Sequence, residues 1–175
     1  ENDLDILGGD FYNYTTIGNP RTFAKMLLKK PSDLVNLIMN KFRTSRYIGN
    51  FKLDASNNCL VEFTNLPSKI SPLSCHLVNN FFIGNCKKVS EMGGWDSHLK
   101  LGEHEDFFFK AFKNKLKVAY LPNFGIKHFP VITSNYKQYR LRAWQYKKDF
   151  VSRVGFKSYK EVLIDNNEVL FEFSS

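Results

Sequence analysis

An α/β fold with a mixed sheet flanked by helices is the class this sequence predicts, and two observations carry it. Short segments of strand character, such as residues 59–64, alternate with segments whose apolar residues recur at helical spacing, such as 103–113. No repeat, low-complexity tract or shift of composition divides the chain, so residues 1–175 read as a single domain. A hydrophobic content of 43%, with 17 phenylalanines, is enough for one core and excludes a disordered chain.

In chain order, Leu4-Asp5-Ile6-Leu7 ahead of Gly8-Gly9 predicts a short buried strand ending in a tight turn. Residues 22–39 lean helical through Phe23, Met26, Leu27, Leu34, Leu37 and Ile38, with a break at Pro31. In 59–64, Leu60, Glu62 and Thr64 alternate with Val61 and Phe63, the mark of a half-buried strand. Residues 77–83 predict another strand with Asn79 and Asn80 embedded in it. A brief helix over 86–92 is stopped by Gly93-Gly94. The next helix, 103–113, turns Phe107, Phe108, Ala111 and Phe112 toward the core. Residues 116–121 form a strand closed by Pro122, and 126–129 a second extended piece before Pro130. Finally, 135–154 predicts one basic amphipathic helix, with Tyr139, Ala143, Tyr146, Phe150 and Val154 on one side. It opens a C-terminal basic helix and tail, 135–175.

A formal charge of +8 favours anionic partners, although the lysines are scattered and form no long run. Cys59, Cys75 and Cys86 contain no C-x-x-C pair, which leaves either one disulfide with a spare thiol or three buried thiols. Asn13-Tyr14-Thr15 is a glycosylation sequon, and no stretch approaches the length of a membrane span.

The densest chemistry is Glu103-His104-Glu105-Asp106, which opens a helix. Carboxylates there are favoured by the helix dipole, and one aimed outward can accept a proton from a bound hydroxyl. Asp106 is the candidate base; helix capping is the competing explanation of Glu103 and Glu105. His104 could orient a carboxylate or a substrate, or simply pack. His128 closes an apolar strand, where ligands of α/β folds gather, and could bind a metal through one ring nitrogen. Asp3-Leu4-Asp5 spells a D-x-D, but it precedes its strand where a diphosphate–metal site should follow one, so it is not the metal motif. Trp95, beside Gly93-Gly94, could stack on a sugar ring or belong to the core. Lys137, Arg140, Arg142, Lys147, Lys148 and Arg153 could meet a polyanion or a membrane surface, or form a solvated face.

Taken in order, Leu4-Asp5-Ile6-Leu7-Gly8-Gly9, Val78-Asn79-Asn80-Phe81-Phe82, Trp95-Asp96 through Leu99-Lys100, Glu103-His104-Glu105-Asp106-Phe107-Phe108, Leu116-Lys117-Val118-Ala119-Tyr120 and Ile126-Lys127-His128 form a pattern. It resembles the C-terminal half of a GT-A glycosyltransferase of the family 2 kind, of the β-1,4-N-acetylgalactosaminyltransferase and galactosyltransferase C-terminal domain type. The resemblance implies inverting transfer of a hexose or N-acetylhexosamine from a UDP-sugar donor to a glycan acceptor, with manganese. It implies Asp106 as base, Glu105 as acceptor contact and His128 as third metal ligand. Asn79, Asn80, Gly94 and Trp95 fall where the family contacts sugars, with Glu103 and His104 beside them. The family's nucleotide-binding half precedes the Leu4–Leu7 strand, so the chain is expected to be part of a longer enzyme. A Golgi lumen is implied, with membrane attachment only through a segment absent from this chain and no nucleic acid partner. The alternative is a basic polyanion- or glycan-binding module without catalysis.

Overall fold

Two mixed β-sheets with helices packed about them make up this α/β molecule. The computed structural model describes residues 3–13, 44–45, 47–65, 72–128 and 134–174, without the side chains of 11–13, 44–45, 65, 128 and 134–137. The helix expected over 22–39 lies outside the described residues, as does most of the sequon.

In the first sheet, β1 (Ile6–Asn13) runs parallel to β7 (Val118–His128). Along its other edge β1 pairs antiparallel first with β6 (Phe82–Gly84), then with β2 (Thr44–Ser45). Strand β5 (Leu73–Cys75) is antiparallel to β7. The second sheet has the order β3 (Tyr47–Leu53), β4 (Asn58–Asn65), β8 (Ser158–Leu163), β9 (Glu168–Ser174), with β4 and β8 parallel. A reciprocal backbone pair between Gly49 and Leu77, 2.8 and 2.9 Å, ties the second sheet to the segment after β5.

Strand β1 does not turn at Gly8-Gly9; it continues to Asn13. A Cβ on Gly8 would lie 2.4 Å from the Val78 side chain, and one on Gly9 would lie 1.9 Å from the Phe124 carbonyl oxygen. The glycines therefore serve close approach rather than reversal. The two pieces expected over 116–121 and 126–129 are likewise one strand, β7. Its register pairs Gly8 with Tyr120 and Asp10 with Gly125, so 121–124 bulge opposite Gly9. Pro122 sits in that bulge, where no ladder donor is needed.

The strand expected over 77–83 is mostly irregular, with pairing confined to Leu77 and to Phe82–Gly84. The Val78 carbonyl meets a side chain instead of a neighbouring strand. Helix α1 (Cys86–Glu91) is capped by Asn85, whose Oδ1 accepts from the backbone N–H groups of Lys87 and Lys88, and it ends as expected at Gly93-Gly94. Helix α2 (Glu103–Lys113) has the expected bounds. The single helix over 135–154 is instead two, α3 (Ser134–Leu141) and α4 (Ala143–Val154). The chain departs from helical geometry at Arg142, so Tyr139 is exposed while Phe150 is fully buried. Beyond them the expected tail is the β8–β9 hairpin, and its Tyr159 and Phe171 enter the core.

Phe107, Phe108 and Phe150 are fully buried, and Phe156 rests on Phe109 with ring centroids 4.9 Å apart. Each such ring removed from water contributes about 2 kcal/mol. All three cysteines are free; Cys59 and Cys75 are buried and Cys86 is exposed, so neither cysteine arrangement expected from the sequence is present. Among the described residues no helix is long and apolar enough to cross a membrane.

Candidate functional site

Residues 95–102 lead from α1 to the head of α2, and Asp96 organises the turn. One of its oxygens accepts from the backbone N–H of His98 at 2.9 Å and faces the His98 ring, while the other pairs with Arg153 of α4. A 3-10 turn, Lys100–Gly102, then delivers the chain into α2. Gly102 lies so close to α4 that a Cβ there would sit 2.6 Å from the Tyr146 carbonyl oxygen. Only glycine lets the α2 N-terminus be clamped at that distance.

An open cleft of about 580 Å³ lies over this corner, lined by Asn80, Trp95, Asp96, Ser97, Lys100 and Glu103. Trp95 is 47% exposed, with its ring stacked on buried Phe107 at 4.3 Å and tilted against Phe82 at 5.9 Å. It is thus both a core contact and an aromatic wall. Lys100 holds a left-handed backbone (φ 49°), a conformation unfavourable for a lysine.

The acidic motif does not converge as a unit, because successive helical residues point about 100° apart. Glu103 reaches the cleft. Asp106, three residues on and on the same face, is 4% exposed, with Oδ2 2.7 Å from Lys110 Nζ. Lys110 also donates to the Gly94 carbonyl at 3.3 Å, which connects Asp106 to the Trp95 loop. His104 points elsewhere: Nε2 lies 2.8 Å from the Val78 carbonyl oxygen and so donates to it, and burial pushes the ring down to about 4, leaving it neutral.

Glu105 turns away from the cleft into a buried charge cluster. Its Oε1 lies 3.2 Å from Lys147 Nζ, which also pairs with Glu161 Oε2, while the Tyr159 hydroxyl donates to Glu161 Oε1 at 2.8 Å. Burial pulls the Lys147 ammonium down, but the two carboxylates outweigh it and hold it above its ordinary value. On Glu161 burial wins and the carboxyl is raised despite its cation.

Glu103 Oε2, His104 Nδ1, Glu105 Oε2 and Asp106 Oδ2 are each buried without a hydrogen bond. The last still faces Lys110, an ion contact lacking hydrogen-bond alignment. With His104 Nε2 as donor, all four are acceptors. Burial, helped by the charge of Glu105, raises the Glu103 carboxyl above its ordinary range.

Of the residues the sequence singles out, Asn80, Trp95 and Glu103 share the cleft, with Gly94 and Asp106 tied behind it through Lys110. Glu105 and His104 belong to the packing of α2, and Asn79 is buried. The His128 backbone ends β7 opposite Asn13, and its imidazole lies outside the described side chains. The second aspartate of the D-x-D is structural: Asp5 is buried, 2.5 Å from Lys88 Nζ, and accepts the Lys117 backbone N–H at 2.8 Å. Hydrogen bonding to Lys88 lowers its carboxyl below the ordinary value. Lys110, Lys147 and Glu161 were not singled out as partners of the acidic motif, although the spacing of Lys110 to Asp106 (i, i+4) could have shown the first.

The described residues do not fit a manganese centre. Asp106 and Glu105 face ammonium groups, Asp96 faces an arginine, and among the described residues no three His, Cys, Asp or Glu side chains gather as a metal set. No family model matches this chain, and no curated protein matches it.

Proposed function

We propose that this chain is the acceptor-binding and catalytic-base portion of an inverting, GT-A-type glycosyltransferase. The reaction would move a hexose or N-acetylhexosamine from a UDP-sugar to a glycan hydroxyl. The observation that supports it best is the cleft itself. An aromatic ring seated on the core forms one wall, amide, hydroxyl and ammonium groups surround it, and the Glu103 carboxylate lines it at the head of α2. A sugar presents an apolar C–H face to such a ring and hydroxyl donors to such acceptors. Holding the hydroxyl in line with the donor's anomeric carbon while a carboxylate takes its proton allows attack opposite the departing diphosphate. In this reading the acidic motif supplies the base, Asp106 acts through its link to the Trp95 loop, and Glu105 fixes α2 against α4 and β8.

The polyanion-binding alternative draws less support. At least two of the six basic side chains on 135–154 are engaged internally, Lys147 with Glu105 and Glu161 and Arg153 with Asp96.

The test uses full-length protein, a panel of UDP-hexoses and UDP-N-acetylhexosamines, and glycans ending in either sugar. UDP release should require an acceptor, and that acceptor should quench tryptophan emission. Trp95→Ala should weaken acceptor binding about tenfold, the worth of one stacking contact. If no donor–acceptor pair yields UDP and no glycan alters the emission, the proposal is wrong.

A further inference from the structure

We infer that Glu103, not Asp106, is the catalytic residue that removes the acceptor's proton, an assignment that rests on the transferase reading. Access separates the two. Glu103 is the only carboxylate of the α2 motif that lines the cleft, whereas Asp106 and Glu105 are 4% and 9% exposed and lie outside its lining. Availability separates them again. Asp106 Oδ2 faces Lys110 at 2.7 Å and Glu105 Oε1 faces Lys147 at 3.2 Å, while Glu103 takes part in no ion pair among the described residues. An ammonium at a carboxylate competes with an acceptor hydroxyl for its oxygens; a carboxylate that lines the cleft without a cation partner can accept the hydroxyl proton directly.

Placement agrees with this. Gly102, immediately before Glu103, is clamped under the Tyr146 carbonyl, so the α2 head is fixed against α4. Trp95, the stacking wall, lines the same cleft. The charged groups acting on Glu103 are Lys100 from the preceding turn and Glu105 from its own helix; Asp96 also lines the cleft but is paired with Arg153. Burial raises the Glu103 carboxyl, helped by Glu105 and opposed by its own backbone N–H and by Lys100, and the net shift is upward, in the direction that strengthens a base.

The proton of the acceptor O–H passes to Glu103, the acceptor oxygen's electron pair forms the new bond to the anomeric carbon, and the bond from that carbon to the donor phosphate breaks. The leaving pair departs on the diphosphate of UDP. Asp106 is then a positioning residue: with Lys110 it anchors the Gly94 carbonyl and so the loop that carries Trp95.

The experiment measures kcat, acceptor KM and pH profiles for full-length wild type, Glu103→Gln, Glu103→Asp and Asp106→Asn, with glycan affinity read from Trp95 emission and folding from thermal melts. Glu103→Gln should lower kcat at least about a hundredfold, leave the glycan Kd within about threefold, and abolish the acid limb of the profile. Glu103→Asp should recover part of the rate. Asp106→Asn should raise the acceptor KM more than it lowers kcat. Glu103→Gln turning over within about threefold of wild type, or Asp106→Asn alone removing the acid limb, overturns the assignment while leaving the transferase reading intact. A wild type that binds glycan but transfers nothing from any donor overturns the reading itself, and the assignment with it.

Discussion

Replacing Lys147 by methionine removes one ammonium from between two carboxylates. Lys147 Nζ pairs with Glu105 and Glu161, whose side chains are 12% and 2% exposed, and it lies 5.4 Å from the centroid of the Phe171 ring. Methionine keeps most of the packing and none of the charge. Breaking a buried pair from one side costs about 3–5 kcal/mol, because the remaining charge is left uncompensated. The lysine itself is 23% exposed, so water can partly replace it and the low end, about 3 kcal/mol, is expected. For a domain of this size that lowers Tm by about 6–12 °C. The sign with pH follows from Glu161. Burial already raises its carboxyl above 4.5, and loss of the cation raises it further. A raised carboxyl pKa contributes stability that is present below the unfolded value and lost as pH rises through the folded one. The variant's deficit should therefore be largest near neutral pH and shrink toward pH 4.5. Urea unfolding at several pH values reads this out, and Glu161→Gln added to the variant should restore part of the loss. A deficit below about 1 kcal/mol, or one that is the same at every pH, would refute the buried-cluster argument.

Two further outcomes follow from the fold. Gly9→Ala places a methyl 1.9 Å from the Phe124 carbonyl oxygen, and the backbone there cannot yield cheaply; the variant should lose more than about 3 kcal/mol, and a Tm within about 3 °C of wild type would show that β1 and β7 do not approach as described. Burial pushes the Cys59 and Cys75 thiols up to about 12 while Cys86 is exposed. A thiol reagent should thus titrate one group in the native protein and three after unfolding; two fewer after unfolding would reveal a disulfide.

Local pattern was enough where an element's character is set by its own residues. Helix α2 shows its bounds through first-turn acids and apolar residues at i, i+1, i+4 and i+5 spacing, and β4 through strict alternation. Pattern fails where the partner is remote. Gly8-Gly9 reads as a turn because nothing nearby announces Val78 or Phe124, the groups that require the missing Cβ atoms. Strand β8 hides for a related reason: its inward positions are Tyr159 and Glu161, and a buried glutamate looks like a surface residue until Lys147 is placed beside it. The break at Arg142 has neither proline nor glycine to mark it. At the site, Asn80, Trp95 and Glu103 were legible as candidates and line one cleft, whereas the distribution of the acidic motif between cleft and core depends on which lysine each carboxylate reaches.

That distribution also sets the charge of the cleft. Three carboxylates open to one cavity would repel one another and draw in a cation. Here helical geometry sends Glu105 to Lys147 and sets Asp106 against Lys110, so two of the three charges are compensated within the protein. The third, Glu103, faces the cleft with Lys100 near enough to act on its carboxyl. With Asp96 paired to Arg153, the charged side chains left on the cleft are one carboxylate and one ammonium beside an aromatic wall, so it carries little net field. The same lysines that hold α2 in place therefore adjust the cleft's charge: removing Lys110 would leave Asp106 an uncompensated anion one turn behind Glu103 and raise the Glu103 carboxyl further.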